Sequence, residues 1–163
     1  MAVLLGDKHR FGVEVGDWDG PALRRVDLWV AGQWLTCEDN AAFVAQFRLS
    51  VAATADRVRS GGVSPLPFDG SPAAAHRRLI DGISNFVEDY ERFWIFNDWG
   101  PTTDNVLALL FRDGDQLVIT SEFCREDHLS EHPEHAGTVF VAELQAGEFV
   151  GILEELVAVL DHG

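Results

Sequence analysis

Residues 106–123, VLALLFRDGDQLVITSEF, decide the fold class of this chain. Two apolar runs, 106–111 and 116–123, flank the polar stretch 112–115. Asp-Gly between apolar runs is typical of a tight β-hairpin, because both residue types tolerate the backbone that such a turn needs. The sequence therefore predicts two adjacent antiparallel strands here.

Alternating apolar residues predict further strands on both sides of this hairpin. Residues 10–15 (RFGVEV) and 24–30 (RRVDLWV) each place every second side chain on one face, and 138–144 (TVFVAEL) resembles them. Ala31 and Gly32 lie between Trp29 and Trp34, where a tight turn would bring two aromatic segments together. The first forty residues are thus expected to form an antiparallel meander.

Apolar residues three or four apart predict three helices. The first runs from Asp39 or Asn40, as the cap, to about Arg59. The second begins at Ser71-Pro72 and continues through Leu79, Ile80, Ile83, Phe86, Val87 and Tyr90, and the third closes the chain through Phe149, Ile152, Leu153, Leu156, Val157 and Leu160. Between the first two, residues 60–70 are expected to form a loop.

The order of these elements predicts an α+β fold. Strands, two helices, strands and a helix follow one another without βαβ alternation, which favours an antiparallel sheet packed against about three helices. With 163 residues, 47% of them hydrophobic, the chain fits a single domain spanning residues 1–163. The aromatic segment 93–100 (FWIFNDWG) fits either a short strand or an irregular connection.

Charge excludes several classes of partner. The chain has 27 Asp and Glu against 12 Lys and Arg, a formal net charge of -15. This charge repels nucleic acid and anionic membrane surfaces, and no apolar run approaches the roughly 20 residues of a spanning helix. The start, MAVLLGDKHRF, places its positive charges after the apolar patch, the wrong order for a secretory signal, so we expect a cytoplasmic protein.

One segment carries residue types that zinc prefers. Cys124, His128, His132 and His135 lie within twelve positions. On a helix, however, Cys124 and His132 would be roughly 12 Å apart, and Pro133 disfavours helix at His132. A solvated acidic loop is therefore favoured over a metal site, and no cofactor is predicted. A small metal-dependent hydrolase using these four residues stays open as an alternative.

Acidic residues beside aromatic ones form the remaining signal, which is typical of a protein interface. The aromatic candidates are Trp94, Phe96 and Trp99, which fit a buried core equally well. We predict that a basic partner contacts the hairpin turn, the acidic loop 126–134 and the segment around Trp99. The candidate residues are Asp98, Trp99, Asp104, Asp113, Asp115, Glu122, Asp127, Glu131 and Glu134.

Several stretches resemble the small cytoplasmic immunity proteins that bacteria encode beside polymorphic toxins, the immunity protein 42 type in particular. They are GDKHRFGVEV, LWVAGQWLT with Trp29 and Gly32, the helix after CEDNAAF, and TVFVAELQAGEFVGILEEL near the end. The resemblance implies a non-enzymatic protein that binds and blocks a cognate toxin, with a basic toxin domain as partner. A housekeeping protein-interaction module, with no toxin, is a second alternative.

Overall fold

The structure is a computed structural model that describes residues 2–82 and 91–162. Its first sheet has five strands and is antiparallel throughout, in the order β1-β2-β3-β4 with β5 also paired to β3. The strands are β1 (Val3–Gly6), β2 (Phe11–Asp19), β3 (Leu23–Val30), β4 (Gln33–Trp34) and β5 (Ala41–Phe43). This sheet includes the predicted meander.

The turn between β3 and β4 consists of Ala31 and Gly32. Both residues have positive φ, 52° and 81°, as a two-residue type I′ turn requires. As a result Trp29 pairs directly with Trp34 across the strands. The prediction that this turn brings two aromatic segments together is confirmed.

The second sheet contains the hairpin on which the fold prediction rests. It has three antiparallel strands, β6 (Val106–Asp113), β7 (Gln116–Phe123) and β8 (Phe140–Gln145). Asp113 pairs with Gln116, so the turn residues are Gly114 and Asp115, and Gly114 adopts a φ of 62° that only glycine takes up without strain.

Four α-helices lie within the described residues, together with short 3₁₀ turns at Pro101–Thr103 and Pro133–His135. They are α1 (Val44–Arg59), α2 (Pro72–Asp81), α3 (Glu126–Glu131) and α4 (Ala146–Leu160). Two antiparallel sheets with these helices confirm the predicted α+β fold class. None of the helices in residues 2–82 and 91–162 is long and apolar enough to cross a membrane.

The helix starts differ in part from the sequence prediction. α1 begins at Val44, not at Asp39 or Asn40, because residues 41–43 pair with β3 as β5. α2 begins as predicted, with the Ser71 hydroxyl accepting a hydrogen bond from the backbone N–H of Ala74. The predicted continuation through Ile83, Phe86, Val87 and Tyr90 lies outside the described residues. α3 occupies a segment that was predicted to be a loop.

Both sheets face one shared apolar core. α1 and α4 pack against each other, and Phe11 of β2 contacts Phe149 of α4 at a ring distance of 4.9 Å. From the second sheet, Leu110 and Ile119 face this core, while Leu109 and Phe111 point the other way. α2 covers that far face, so the second sheet is buried on both sides.

Segment 93–100 forms an irregular connection. Trp94 makes a single antiparallel bridge with Leu109, and Phe96 has a φ of 70°. Phe96 and Trp99 are each 1% exposed in the main core, where their rings lie 4.8 Å apart. Of the two structures that fit this segment, the irregular connection is therefore the one observed.

Candidate binding cleft

An open cleft of about 630 Å³ lies between the β3–β4 turn and α3. The paired Trp29 and Trp34 form one wall, and α3 with the 3₁₀ turn that follows it forms the other through histidines and acids. We call this site the Trp-His cleft. It is lined by Trp29, Gly32, Gln33, Trp34, Cys37, Glu38, Phe123, Asp127, His128, Glu131, His132 and His135.

The first wall is the tryptophan pair. The rings of Trp29 and Trp34 stack with centroids 6.0 Å apart and an 18° angle between their planes. The Trp34 indole N–H donates to Oδ1 of the buried Asp27 at 2.8 Å, yet 40% of Trp34 remains exposed. The ammonium of Lys8 lies over the Trp29 ring, 4.6 Å from its centroid.

The second wall is a stack of histidines on Phe123. The His128 ring lies 4.1 Å from Phe123 and the His135 ring 4.9 Å from it, both nearly parallel to it. Nε2 of His128 is 2.8 Å from Nδ1 of His135, so the two rings share one proton in a hydrogen bond. His132 packs beside them, 4.8 Å from His128.

A thiol connects the histidine stack to the loop after β4. Sγ of Cys37 lies 3.8 Å from Nδ1 of His128. Burial, together with the negative charge of Glu38, raises the pKa of Cys37, so this sulfur stays protonated near neutral pH. Burial and the neighbouring charges of His135 and His132 lower the pKa of His128, which keeps its ring neutral there.

The charge of the cleft is negative. Glu38, Asp127 and Glu131 line it, and no Lys or Arg is among its lining residues in the described part of the chain. Glu134 contacts its edge, with a carboxylate oxygen 3.5 Å from Nδ1 of His132. Hydrogen bonding to backbone and the charges of His135 and His132 lower the pKa of Glu134, so this carboxylate is ionised at neutral pH.

The structure brings together only part of the predicted surface. Asp127, Glu131 and Glu134 lie at the cleft, and Asp104 lines a neighbouring hollow that shares Glu38 with it. Asp113 and Asp115 lie at the opposite end of the β6–β7 hairpin from Phe123, about 23 Å away for seven steps along a strand. Exposed Asp98 lies in a different hollow, beside Arg57.

Two predicted surface residues are buried instead. Trp99 is 1% exposed, and its indole N–H donates to the Thr54 hydroxyl at 2.9 Å, so its side chain belongs to the core. Glu122 is 7% exposed and binds His76 and Arg77. Apolar packing and ion pairing hold these two side chains away from the surface.

The four residues weighed as zinc ligands, Cys124, His128, His132 and His135, do not come together as a set. Phe123, the last residue of β7, stacks on the histidines, whereas Sγ of the next residue, Cys124, lies 4.0 Å from the carbonyl oxygen of Asp104. The thiol next to His128 is that of Cys37. Among residues 2–82 and 91–162, no group of three or more metal-ligating side chains is placed to hold a metal ion.

Sequence reasoning missed seven lining residues of the cleft, and four of them carry its aromatic and thiol chemistry or its charge. These four are Trp29, Trp34, Cys37 and Glu38. The tryptophans had a usable signal, because the predicted turn at Ala31 and Gly32 already placed them side by side. Cys37 had none, since its contact with His128 joins positions 91 residues apart in the chain.

Comparison with known proteins gives one informative likeness. No model of a protein family matches the chain, and no curated protein matches it. Among solved structures, the crystal structure of CdiI from Burkholderia dolosa AUO158 has a similar fold, with a TM-score of 0.65 and 13% sequence identity. The similarity covers 96% of this chain and 99% of that one, so it extends over the whole fold.

Proposed function

We propose that this chain is an immunity protein that binds a cognate bacterial toxin in the cytoplasm and neutralises it by covering it, without catalysis. The observation that carries the proposal is the fold shared with CdiI, the immunity protein of a contact-dependent inhibition toxin system, over almost the full length of both chains. The sequence resemblance to immunity proteins of polymorphic toxins supports the same role independently of the structure.

The Trp-His cleft supports binding as the mode of action. Exposed aromatic rings are the side chains that contribute most to protein interfaces, and a negative field accelerates encounter with a basic partner. We propose that the cleft, through Asp127, Glu131 and Glu134, is the centre of the toxin-facing surface and that Asp104 extends it. Asp98, and Asp113 and Asp115 at the tip of the hairpin, would contact the toxin only at the periphery of the interface.

The first prediction concerns growth. The proteins that this chain resembles are encoded beside their toxins, so a toxin domain encoded next to this chain, expressed alone, should stop bacterial growth, and co-expression of this chain should restore it. Growth arrest that this chain does not relieve would contradict the immunity role.

Charge variants then locate the surface. Asp127→Asn with Glu131→Gln should weaken toxin binding by about 30-fold, or about 2 kcal/mol, and reduce its salt dependence. Asp113→Asn with Asp115→Asn is the matched control, since it also removes two carboxylates from exposed positions. Isothermal titration at two salt concentrations measures both, and equal loss in the two variants would refute the central place of the cleft.

A further inference from the structure

We propose that the Trp-His cleft holds an arginine side chain of the partner protein, with its guanidinium between the tryptophan wall and the carboxylates of Glu38, Asp127 and Glu131. This inference deepens the proposed function, on which it rests for the identity of the partner. It assigns the chemistry of the group that enters the cleft.

The first argument is uncompensated charge. Three carboxylates line the cleft, and the described lining residues include no Lys or Arg. None of the three forms an ion pair with any residue in the described ranges, whereas carboxylates such as Glu148 and Asp161 do. The neutral His128 ring contributes no compensating charge at pH 7. Glu38 shares a neighbouring hollow with Arg125, whereas Asp127 and Glu131 face no Lys or Arg among the described lining residues, so a partner that covers these two carboxylates must supply the cation.

The second argument is shape. A guanidinium is flat, stacks on aromatic faces and binds carboxylates through two parallel hydrogen bonds, while an ammonium is compact and strongly hydrated. The cleft offers the exposed indole of Trp34 on one side and acids on α3 on the other. Its volume of about 630 Å³ lies within the range of pockets that hold small ligands.

The third argument is that the same aromatic pair already contacts a cation. The ammonium of Lys8 lies over the Trp29 ring, and Trp29 also stacks on the Trp34 ring. Indole faces attract cations because the ring carries negative charge on its face. Trp34 is the more exposed member of the pair, so its surface can accept a second cation from a partner.

The test uses the full chain and three short peptides. Acetyl-Gly-Arg-Gly-amide, its lysine counterpart and its citrulline counterpart are titrated separately while the indole N–H signals of the ¹⁵N-labelled protein are followed by NMR. We expect a saturable shift of the Trp34 signal with the arginine peptide, binding at least fivefold weaker with lysine, and none with citrulline, which keeps the shape and lacks the charge. Equal shifts with arginine and citrulline would overturn the proposal.

Two variants make the test specific to the cleft. Asp127→Asn with Glu131→Gln should lower the affinity for the arginine peptide at least tenfold, and Asp113→Asn with Asp115→Asn should leave it within twofold. Binding retained in the cleft variant would refute the site. Because no toxin is present, this result is independent of the growth assay: rescue of growth without peptide binding overturns the arginine assignment alone, and peptide binding without rescue overturns the immunity role alone.

Discussion

His76 is completely buried where α2 meets β7, and both of its ring nitrogens have partners. Nδ1 lies 2.7 Å from the Thr120 hydroxyl, and Nε2–H donates to Glu122 at 3.0 Å. Arg77 binds the other oxygen of Glu122 at 3.2 Å. A hydroxyl, an imidazole and a carboxylate in a row resemble a catalytic triad, but the complete burial of Thr120 and His76 leaves no room for a substrate. These contacts of His76 and Arg77 with Thr120 and Glu122 hold α2 against β7.

The buried carboxylate of Glu122 makes part of the folding stability depend on pH. Burial alone would raise the pKa of Glu122, but the hydrogen bond and charge of His76 and the charge of Arg77 lower it below its ordinary value of 4.5. Its contribution is therefore complete above about pH 4.5 and is lost as the pH falls through the lowered folded-state pKa.

Glu122→Gln should reduce the free energy of unfolding at pH 7 by about 2 kcal/mol, since it weakens charge-assisted hydrogen bonds. The difference from the unmodified protein should shrink below pH 4.5. Urea denaturation at pH 7 and at pH 3.5 measures it. The control is Glu143→Gln, the same change on the exposed side of β8, and a similar loss there would contradict the assignment.

At the scale of elements, α3 depends on side-chain packing more than on its own helix signals. It has six residues, and its N-cap, Arg125, makes no side-chain hydrogen bond to it. Such a short helix is not stable by itself. The contact of His128 with Phe123 and the hydrogen bond to His135 hold it against the second sheet.

Acid should therefore loosen α3. The groups facing His128 are Cys37 and Glu38 from the loop after β4, Glu131 within α3, and the rings of His132 and His135. Burial and these neighbouring groups together lower the pKa of His128 below 6.5, so His128 binds a proton less readily in the folded state than in the unfolded state. Stability from this contact is complete above pH 6.5 and declines as the pH falls below it.

An NMR titration of the His128 ring checks this expectation. In the folded protein its midpoint should lie below the midpoint of the same residue in urea, where the chain is unfolded. His128→Phe keeps the ring stacking and removes the proton, so it should abolish the loss of α3 amide protection between pH 7 and pH 5.5. A folded midpoint at or above the unfolded one would refute this explanation.

At the scale of the whole molecule, residues 2–82 and 91–162 form two apolar clusters of unequal size that share the second sheet. The main core joins both sheets with α1 and α4, while the smaller one includes, of these residues, Ala75, Leu79, Phe93, Leu109, Phe111 and Val118 under α2. Within the described residues, the smaller cluster removes less apolar surface from water. The α2 layer should accordingly open at lower free energy than the strands of the main core.

Hydrogen exchange tests this order. Leu79→Ala removes a side chain of the smaller core and should lower the protection of α2 amides by about 2–3 kcal/mol. The amides of β2 and β3 should change much less under native conditions, because opening of α2 leaves their core intact. A uniform loss across α2, β2 and β3 would show a single cooperative unit instead.

Local chemistry explains which parts of the fold the sequence predicts. The hairpin at 106–123, the alternation in 10–15 and 24–30 and the closing helical stripe each carry their own signal, and all are present in the structure, with the hairpin turn at Gly114 and Asp115. β5 was missed because residues 41–43 become a strand only by pairing with β3, a contact across the chain. α3 was missed because five of its six residues are charged or polar, and the single leucine, Leu129, gives no apolar period.

The candidate site was less predictable for the same reason. Net charge pointed to Asp127 and Glu131, since an acidic segment is visible in any sequence. The walls of the cleft come from segments far apart in the chain, and no local sequence pattern shows that such segments meet. Cys37 and Glu38 lie beside residues 123–135 only in the folded protein. Burial of Trp99 likewise depends on packing against Phe47, at a ring distance of 5.6 Å, and not on the aromatic segment itself.

The exposed indole of Trp34 beside three imidazoles also gives the protein an intrinsic optical probe. Trp99 is enclosed and emits from an apolar surrounding, whereas Trp34 borders water and groups that quench excited indoles when they carry a proton. Any molecule that fills the cleft displaces that water. Fluorescence intensity and emission wavelength therefore report occupancy without a label, and Trp34→Phe provides the blank.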